Sequence, residues 1–595
     1  MQSNIDRFWT DGNRGRALRS ASATALMVVT LGWAGVAAAQ TTPAPQIPTP
    51  IAPSQVTPRS LRPPVPFAPA PVNLEQGTPT EVPAGADEIT VQVAQVLVDG
   101  DFPEMAATSR RILAPLEGRP VSVGDLYRGS AALEKAYSDA GYFLARVLVV
   151  KQRLTGSDGF QIRVIDGFIE SIDTKGVPRR VARPVAGLIE PVIGRRHLTY
   201  AEMERRLNDA SAIPGITLRS TLARGDAVGG AKLILEGRHR LAGLTIGGDN
   251  RLGPSFNDWG LNLQGQVNSA LGLGEQIYVF LSGSPRIDRA FRRSALRRVG
   301  GMGALVPLNF DGLVFNPEFT VSDTHPKPLS PIFATDGRLY RGAMSLSQPL
   351  VRSARGTLTG RATLELLSET QQLPFFGVTL SKDRLTVVRA GLAWRGPLWS
   401  NASVTADGTV SQGTRLFGAR TRTEAALSST PTSRGSNPQF TDATAQAVVQ
   451  RGIGARSTLT VIARAQTSFG TVVPSSELFD LAGLDSLSPL TAGALSADGG
   501  VSLRGELARV ALLAIGGGKL QLAPYVFGAV ALPHAVIADP FLPSRATAFG
   551  AGIRLATSPL LLGASPNLTL EYGHVNANRG AGSSERLSVL YGVSF

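Results

Sequence analysis

The chain of 595 residues contains no cysteine, few aromatic residues and few charged ones. Without cysteine there are no disulfide bonds, no thiolate metal ligands and no cysteine nucleophile. The five histidines lie too far apart in the sequence to form a metal-ligand pair such as His-x-x-x-His. Charged residues make up 17% of the chain and hydrophobic residues 43%, which excludes a disordered polyelectrolyte. The composition predicts a folded protein with no metal and no cofactor.

Short motifs that mark common enzymes are also missing from the sequence. It contains no Gly-x-x-x-x-Gly-Lys-Ser/Thr phosphate loop, no Gly-x-Ser-x-Gly elbow and no His-Glu-x-x-His pair. The remaining enzyme hypothesis is a Ser-His-Asp hydrolase at a barrel rim, with His574 as its histidine. The net charge is +14, but the basic residues are spread along the chain, which argues against nucleic-acid binding. We therefore expect neither enzymatic activity nor a nucleic-acid partner.

Long apolar runs are confined to the N-terminus. Three arginines precede the apolar run of residues 23–36, and the small residues 37–39 follow it. This order is typical of a secretory signal peptide cleaved between Ala39 and Gln40. A transmembrane anchor is the alternative, but the run is shorter than the roughly 18 residues that a membrane-spanning helix needs. We predict that residues 1–39 are an export signal.

Residues 40–88 hold 13 prolines and almost no apolar periodicity. Such a composition predicts an extended polyproline-type tether in the periplasm and leaves no room for a long helix.

The next two stretches, 89–166 and 167–240, share one predicted order of elements. In each, an alternating strand precedes two helical patterns and two further strands, and a Ser/Thr-x-x-Asp/Glu capping box starts the second helix. The boxes begin at Ser122 and Thr199. The sequence therefore predicts a tandem repeat of two small β-α-α-β-β domains.

Two segments of this repeat resemble the polypeptide-transport-associated (POTRA) domains of two-partner secretion transporters. They are Tyr142–Val150 with Gly159–Ile172 in the first domain, and Leu207–Ile216 in the second. The resemblance implies two periplasmic domains that bind an unfolded partner protein and precede a 16-stranded outer-membrane barrel. If the second strand of each domain is a sheet edge, its backbone can pair with an extended client. The client-binding residues predicted on this basis are Tyr142, Phe143, Ala145, Val147, Val149, Ile216, Leu218, Ser220 and Leu222.

Residues 241–595 alternate between apolar and polar side chains in runs of about ten residues, the length of a tilted membrane-spanning strand. A soluble sandwich also alternates, but here the polar faces carry Arg, Glu, Asp and Gln, as a wet lumen would. The segments Gly248–Asn250, Leu271–Glu275 and Leu495–Leu507 resemble the barrel of the same family. Phe595 ends the chain on an aromatic residue of the outward phase and resembles the signal read by barrel-assembly machinery. We predict an antiparallel transmembrane β-barrel of about 16 strands.

One family motif departs from its pattern here. In the family, an arginine at the tip of a lid loop pairs with an aspartate of a Phe-x-Asp-x-Gly strand on the inner wall. By register, the tip corresponds to Leu487, Ser488, Pro489 and Leu490, and the wall to Phe527 and Ala529. Since neither Ser488 nor Ala529 is charged, we expect neutral contacts through Leu487 and Leu490 to hold the tip. The alternative is a shifted register in which another arginine, such as Arg504, serves.

The sequence thus predicts a Gram-negative outer-membrane pore that exports a secreted partner protein without ATP. The expected partners are this exoprotein, membrane lipid and the barrel-assembly machinery. Two other functions remain open, namely an insertase of the same superfamily and a passive pore or structural anchor.

Overall fold

A computed structural model describes residues 51–63, 82–152, 159–283, 292, 294–328, 331–353, 356–515, 518–557, 563–579 and 582–595. The predicted signal peptide, with its cleavage site at Ala39 and Gln40, lies outside these residues. From Ile51 onward the chain forms one compact unit.

The first small domain contains two helices, a three-stranded sheet and an additional strand pair. Its elements are β1 Thr90–Val93, β2 Val96–Asp99, α1 Ala106–Leu113, β3 Arg119–Ser122, α2 Val123–Asp139, β4 Arg146–Val149 and β5 Phe160–Ile165. The sheet has the order β2-β5-β4, with β2 parallel to β5 and β4 antiparallel to it. As predicted, Ser122 caps α2, because its hydroxyl accepts from the Asp125 N–H and the Asp125 carboxylate accepts from the Ser122 N–H.

The predicted element order of this domain was incomplete. The predicted first strand is divided into β1 and β2. β1 pairs with β3, which immediately precedes α2, and is not part of the main sheet. Since β3 is only four residues long and includes Pro120, its sequence carries no recognisable alternation. The core of the domain forms around α2, where Leu126, Leu133 and Tyr137 are fully buried.

The second small domain has the predicted β-α-α-β-β order. Its elements are β6 Phe168–Gly176, α3 Arg179–Ile189, α4 Tyr200–Ser211, β7 Ile216–Arg224 and β8 Gly230–His239. The sheet order is β6-β8-β7, so β7 lies at an edge in the same place as β4 in the first domain. The Thr199 hydroxyl accepts from the Glu202 N–H and starts α4.

The remainder of the chain forms a closed antiparallel barrel. Its first strands are β9 Ala242–Asp249, β10 Gly260–Asn268, β11 Gln276–Gly283, β12 Arg297–Pro307, β13 Val314–Thr324, β14 Asp336–Ser353, β15 Gly356–Leu373, β16 Val378–Trp399 and β17 Ala402–Thr414. After the short helix α5 Arg422–Leu427 come β18 Thr441–Ile453, β19 Ser457–Thr467, β20 Phe479–Asp480, β21 Ser496–Ala497, β22 Gly499–Arg509, β23 Ala511–Ile515, β24 Gly518–His534, β25 Ala546–Thr557, β26 Ser565–Ala577 and β27 Ser583–Ser594.

Sixteen strands make up the wall within the described residues, which confirms the predicted fold class. β22 and β23 count as one strand, because both pair with β24 on either side of Val510. β20 and β21 pair only with each other and are not part of the wall. None of the described helices is long and apolar enough to span a membrane.

The alternation of the strands divides the side chains between lipid and lumen. In β16, for example, Val388 and Leu392 are exposed on the outer face, whereas Arg389 points inward and is largely buried. The turns β10–β11, β12–β13 and β14–β15 lie at the end of the barrel next to the second small domain. The long connections 415–440, 468–498 and 535–545 begin and end at the opposite end.

Phe595 completes the closure of the barrel. β27 pairs with β9, and beyond that ladder the Phe595 N–H donates to Leu244 O at 2.8 Å. Its side chain is exposed, in phase with Leu587 and Tyr591 on the outer face. The last residue therefore contributes to the seam as well as to the outer surface.

Deletion of Phe595 should lower the amount of barrel that shows a heat-dependent shift in electrophoretic mobility, because the seam loses a hydrogen bond and the outer face an aromatic residue. The matched control Phe595→Tyr keeps both and should assemble like the wild type. Equal amounts of folded barrel from the deletion and from wild type would contradict this role of Phe595.

Candidate functional site

The lumen of the barrel is lined with paired charges. Arg341 lies 3.8 Å from Glu318 across two neighbouring strands. Arg389 contacts Glu365 on the wall at 3.2 Å and Glu477 of the 468–498 connection at 2.8 Å. Because these groups are largely buried, each needs its partner to offset the loss of hydration. The lumen is thus polar, and segments of the chain fill part of it.

Residues 51–63 are the first of these segments, and they lie inside the barrel. The Ser54 N–H donates to Glu369 at 2.7 Å and the Leu61 N–H to Glu318 at 3.0 Å. In the opposite sense, Arg297 donates to Val56 O and Arg341 to Pro58 O, at 2.8 and 2.6 Å. Wall carboxylates therefore bind the amides of this segment, and wall guanidiniums bind its carbonyls.

The interpretation of residues 40–88 as a periplasmic tether is wrong for this part. An extended proline-rich chain leaves its backbone groups unpaired, and the charged wall of the lumen satisfies them. The segment contains one short 3-10 turn, Pro53–Val56, and no α-helix. Val56 packs with Leu252 and Phe256 near the end away from the small domains, and Leu61 packs with Tyr278 and Leu305 further toward them.

The 468–498 connection is the second segment in the lumen and contains the residues predicted as the tip of a lid loop; we call this connection the lid loop. Leu487, Leu490, Phe527 and Ala529 belong to one buried apolar cluster, so the tip faces the predicted wall positions. Pro489 contacts the same wall, with Cγ 2.8 Å from the place where a side chain at Gly573 would begin. The two lumen segments also touch, because Arg59 donates to Ser476 O at 3.0 Å.

The neutral contacts predicted through Leu487 and Leu490 are present, but a charged hydrogen bond also holds the tip of the lid. Arg504 of β22 donates to the Ser488 hydroxyl at 2.9 Å and to Glu571 of β26 at 2.6 Å. Its guanidinium lies 3.8 Å from the centre of the Phe527 ring. Arg504 is directly opposite Ala529 in the β22–β24 register. The wall thus supplies the arginine, while the tip supplies an uncharged acceptor.

Asp498 anchors the end of the lid loop. It is fully buried and accepts two hydrogen bonds from Arg434, of 2.6 and 3.2 Å. It also accepts from the Val473 and Val536 N–H groups, each at 3.1 Å. These donors come from three different connections at the end away from the small domains. One carboxylate therefore ties the lid to its two neighbouring connections.

The predicted client-binding residues of the first domain divide into two groups. Tyr142 and Phe143 precede β4 and lie at the junction of the two small domains, where Phe143 packs edge-on against Tyr200. Ala145 and Val147 have buried side chains in the domain core. Along β4, the Val147 N–H donates to Glu134 at 3.0 Å. Part of this edge is therefore occupied by a side chain of the domain itself.

The predicted residues of the second domain all lie in β7, at the sheet edge. The Arg240 N–H donates to Gly215 O, and the Gly225 N–H to Gly230 O. Gly215 and Gly225 flank β7, and in an antiparallel pair every second residue bonds to the facing strand. The odd-numbered residues of β7 therefore bond to β8. The backbone groups of Leu218, Ser220 and Leu222 consequently point to the outer edge, whereas the Ile216 N–H donates to Ile213 O at 3.2 Å. Client binding by β4 and β7 stays a prediction.

Removal of residues 51–63 should increase the ion conductance of the reconstituted barrel, because these residues occupy its lumen. Replacement of the same 13 positions by Gly and Ser keeps the chain length and removes the side-chain contacts; it should raise conductance by a smaller amount. Planar-bilayer recordings measure both changes. Conductance equal to wild type in both variants would mean that the segment does not restrict the pore.

Ser488→Ala should make channel openings more frequent, because the lid tip loses its acceptor for Arg504 while Arg504 keeps Glu571. The matched control is Ser486→Ala, since the buried Ser486 hydroxyl has no hydrogen-bond partner among the described residues. Recordings in which both variants open equally often would contradict a role for the Arg504–Ser488 bond.

Glu571→Gln tests the wall side of the same network. It removes the nearest carboxylate of the buried Arg504, which keeps Glu506 at 3.6 Å, and should lower the free energy of unfolding by roughly 1.5–3 kcal/mol. The exposed control Glu585→Gln should leave it close to the wild-type value. The thermal midpoint of the mobility shift measures both, and similar midpoints for the two variants would refute the assignment.

Comparison with known proteins agrees with this architecture. The family model for the haemolysin secretion/activation protein ShlB/FhaC/HecB matches residues 233–555, more than half of the chain. A model for the ShlB-type POTRA domain matches residues 92–167. The hemolysin transporter protein ShlB of Serratia marcescens is 28% identical over 185 residues, which is 30% of this chain and 32% of that protein. The chain thus matches about a third of the length of this relative.

Solved structures share the fold, among them two of CdiB. CdiB from Escherichia coli superposes with a TM-score of 0.66 at 20% identity, over 87% of this chain and 92% of that one. CdiB from Acinetobacter baumannii gives a TM-score of 0.55 at 12% identity, over 85% and 90%. With its POTRA region and closed barrel, the protein is located in the outer membrane, with the POTRA domains in the periplasm. The chain belongs to the haemolysin secretion/activation family of two-partner secretion transporters.

Proposed function

We propose that this protein binds an unfolded partner protein in the periplasm and exports it through the barrel lumen. The observation that carries the proposal is the combination of a polar lumen filled by residues 51–63 and the lid loop with two POTRA domains at the periplasmic end. Family membership supports a secreted exoprotein as the partner. The haemolysin-related name of the family describes its members and does not identify the client of this chain.

Export needs no nucleotide in this proposal. The periplasm contains no ATP, so movement must be driven by binding, by vectorial passage and by folding of the client outside. The lumen suits an extended polypeptide, because it already binds one. Its carboxylates accept from the amides of residues 51–63, and its arginines donate to their carbonyls. These interactions involve backbone groups, so a client of different sequence can make them in turn.

Two elements must move before a client can pass. Residues 51–63 make hydrogen bonds to the wall along the lumen, and the lid tip is held by Arg504. Each of these bonds involves a charged group and contributes roughly 1.5–3 kcal/mol net, and each is exchanged for an equivalent bond to the client or to water. A client that arrives extended therefore displaces the two segments stepwise.

The second POTRA domain is the better receptor for the client. Its edge strand β7 directs the backbone groups of Leu218, Ser220 and Leu222 outward, whereas the β4 edge of the first domain has the Val147 N–H bound to Glu134. An extended client that adds to β7 gains main-chain hydrogen bonds without a sequence requirement. We infer that β7 binds the client first and that β4 contributes less.

Two other functions have weaker support. An insertase of the same superfamily often carries three or more POTRA domains, whereas this chain has two, and the family model is that of secretion proteins. A passive pore would not need the lid anchor at Asp498 or the bond between Arg504 and Ser488. A gene for a large secreted repeat protein next to this one would favour export over both alternatives.

Ser220→Pro should reduce secretion of the partner protein, because proline removes an edge N–H of β7 without touching the ladder to β8. Ser220→Ala keeps the N–H and is the matched control. Partner protein released into the medium is measured against the amount of folded transporter in the outer membrane. Normal release from Ser220→Pro, with the barrel folded, would exclude β7 as the receptor strand.

A further inference from the structure

Two adjoining cavities lie where the second POTRA domain meets the barrel wall. The smaller has a volume of about 150 Å³, is polar, and lies between α4 and β14. The larger is an apolar groove of about 680 Å³ on the outer face of β14–β17. Gln348 and Leu350 line both cavities. A single ligand with a polar end and an apolar end can therefore occupy the two together.

The polar cavity carries an excess of positive charge. Arg205, Arg206 and Arg352 face only two carboxylates, Asp209 and Asp311. Arg352 of β14 pairs with Asp209 of α4, and Arg206 lies 3.7 Å from Asp311. Arg205 is exposed and has no ion-pair partner in the described part of the chain. The cavity thus matches a ligand that carries at least one negative charge.

Arg206 provides an unused donor at this site. The residue is only 8% exposed, and its Nε has no hydrogen-bond partner among the described residues. A buried guanidinium N–H without an acceptor costs free energy comparable to a lost charged hydrogen bond. An anionic oxygen in the cavity would satisfy it, and guanidinium groups bind phosphate especially well.

The apolar groove has the form of a channel in the outer wall. Small residues line it together with Leu346, Leu350, Leu392 and Val410. The small residues are Gly360, Ala362, Ala390, Gly391 and Gly408. The first four lie in the half of their strands nearer to the periplasmic turns, and Gly408 lies at the middle of β17. At this depth the outer wall contacts the acyl chains of the periplasmic leaflet.

We propose that one phospholipid of the periplasmic leaflet binds across the two cavities. Its phosphate lies among Arg205, Arg206 and Arg352, and an acyl chain fills the groove. A peptide is a poor occupant, because its backbone groups would lack partners against a lipid-facing wall. The phosphate would contact α4 and β14 at once, so the bound lipid would also stabilise the joint between the second POTRA domain and the barrel.

The test uses the full-length mature protein purified in detergent, with native mass spectrometry to count bound lipids. The probes are phosphatidylglycerol and phosphatidylcholine with identical acyl chains, and inorganic phosphate alone. Wild type should retain one phosphatidylglycerol. Arg205→Gln should bind it about fivefold more weakly and lose the preference over phosphatidylcholine. Ala362→Phe with Ala390→Phe should reduce retention of both lipids, because the rings fill the groove.

Two control variants test whether the loss of any arginine, or the addition of any aromatic ring, changes lipid binding. Arg110→Gln removes an exposed arginine of the first domain, and Ala551→Phe adds a ring to the outer wall at β25; both should bind lipid like wild type. The mobility shift on heating verifies that every variant is folded. Equal lipid retention by the site variants and the controls would overturn the proposal. Saturation by inorganic phosphate alone, with no gain from acyl chains, would also overturn it.

Discussion

Lipid offers no hydrogen bonds to a peptide group, and this constraint determines the rest of the structure. Every strand of the wall must have two neighbours, so the chain has to close β27 onto β9. Closure turns one face of every strand toward lipid and the other toward an enclosed space. Since the inner face carries arginines and carboxylates, that space has to be hydrated or filled by polar chain segments.

In the lumen, polar segments of the protein's own chain meet this requirement. Residues 51–63 and the lid loop supply amides, carbonyls and hydroxyls to charges that would otherwise face one another or water. The same donors and acceptors that hold these segments suit a polypeptide of any sequence. The resting contacts and the proposed transport contacts are therefore of one chemical kind.

The sequence was sufficient to predict the barrel, because its two-residue period follows directly from a wall with lipid on one side. The capping boxes at Ser122 and Thr199 likewise located two helices to within a residue. Position inside the lumen could not be predicted for residues 51–63, because backbone hydrogen bonds leave no side-chain pattern. The Arg504–Glu571 pair was missed for another reason, since it joins β22 to β26 across two intervening strands. Their proximity depends on the curvature of the wall, which the sequence pattern does not give.

The location of residues 51–63 has a consequence for the order of biogenesis. They precede the whole wall in the sequence, and the strand that completes the ring is the last one, β27. The ring can therefore close around a segment that already exists, and no chain has to be threaded through a finished hole. Folded proteins generally avoid threading, and this arrangement achieves an occupied channel without it. A newly assembled barrel would then be sealed from the moment its seam forms, which protects the permeability barrier of the membrane during assembly.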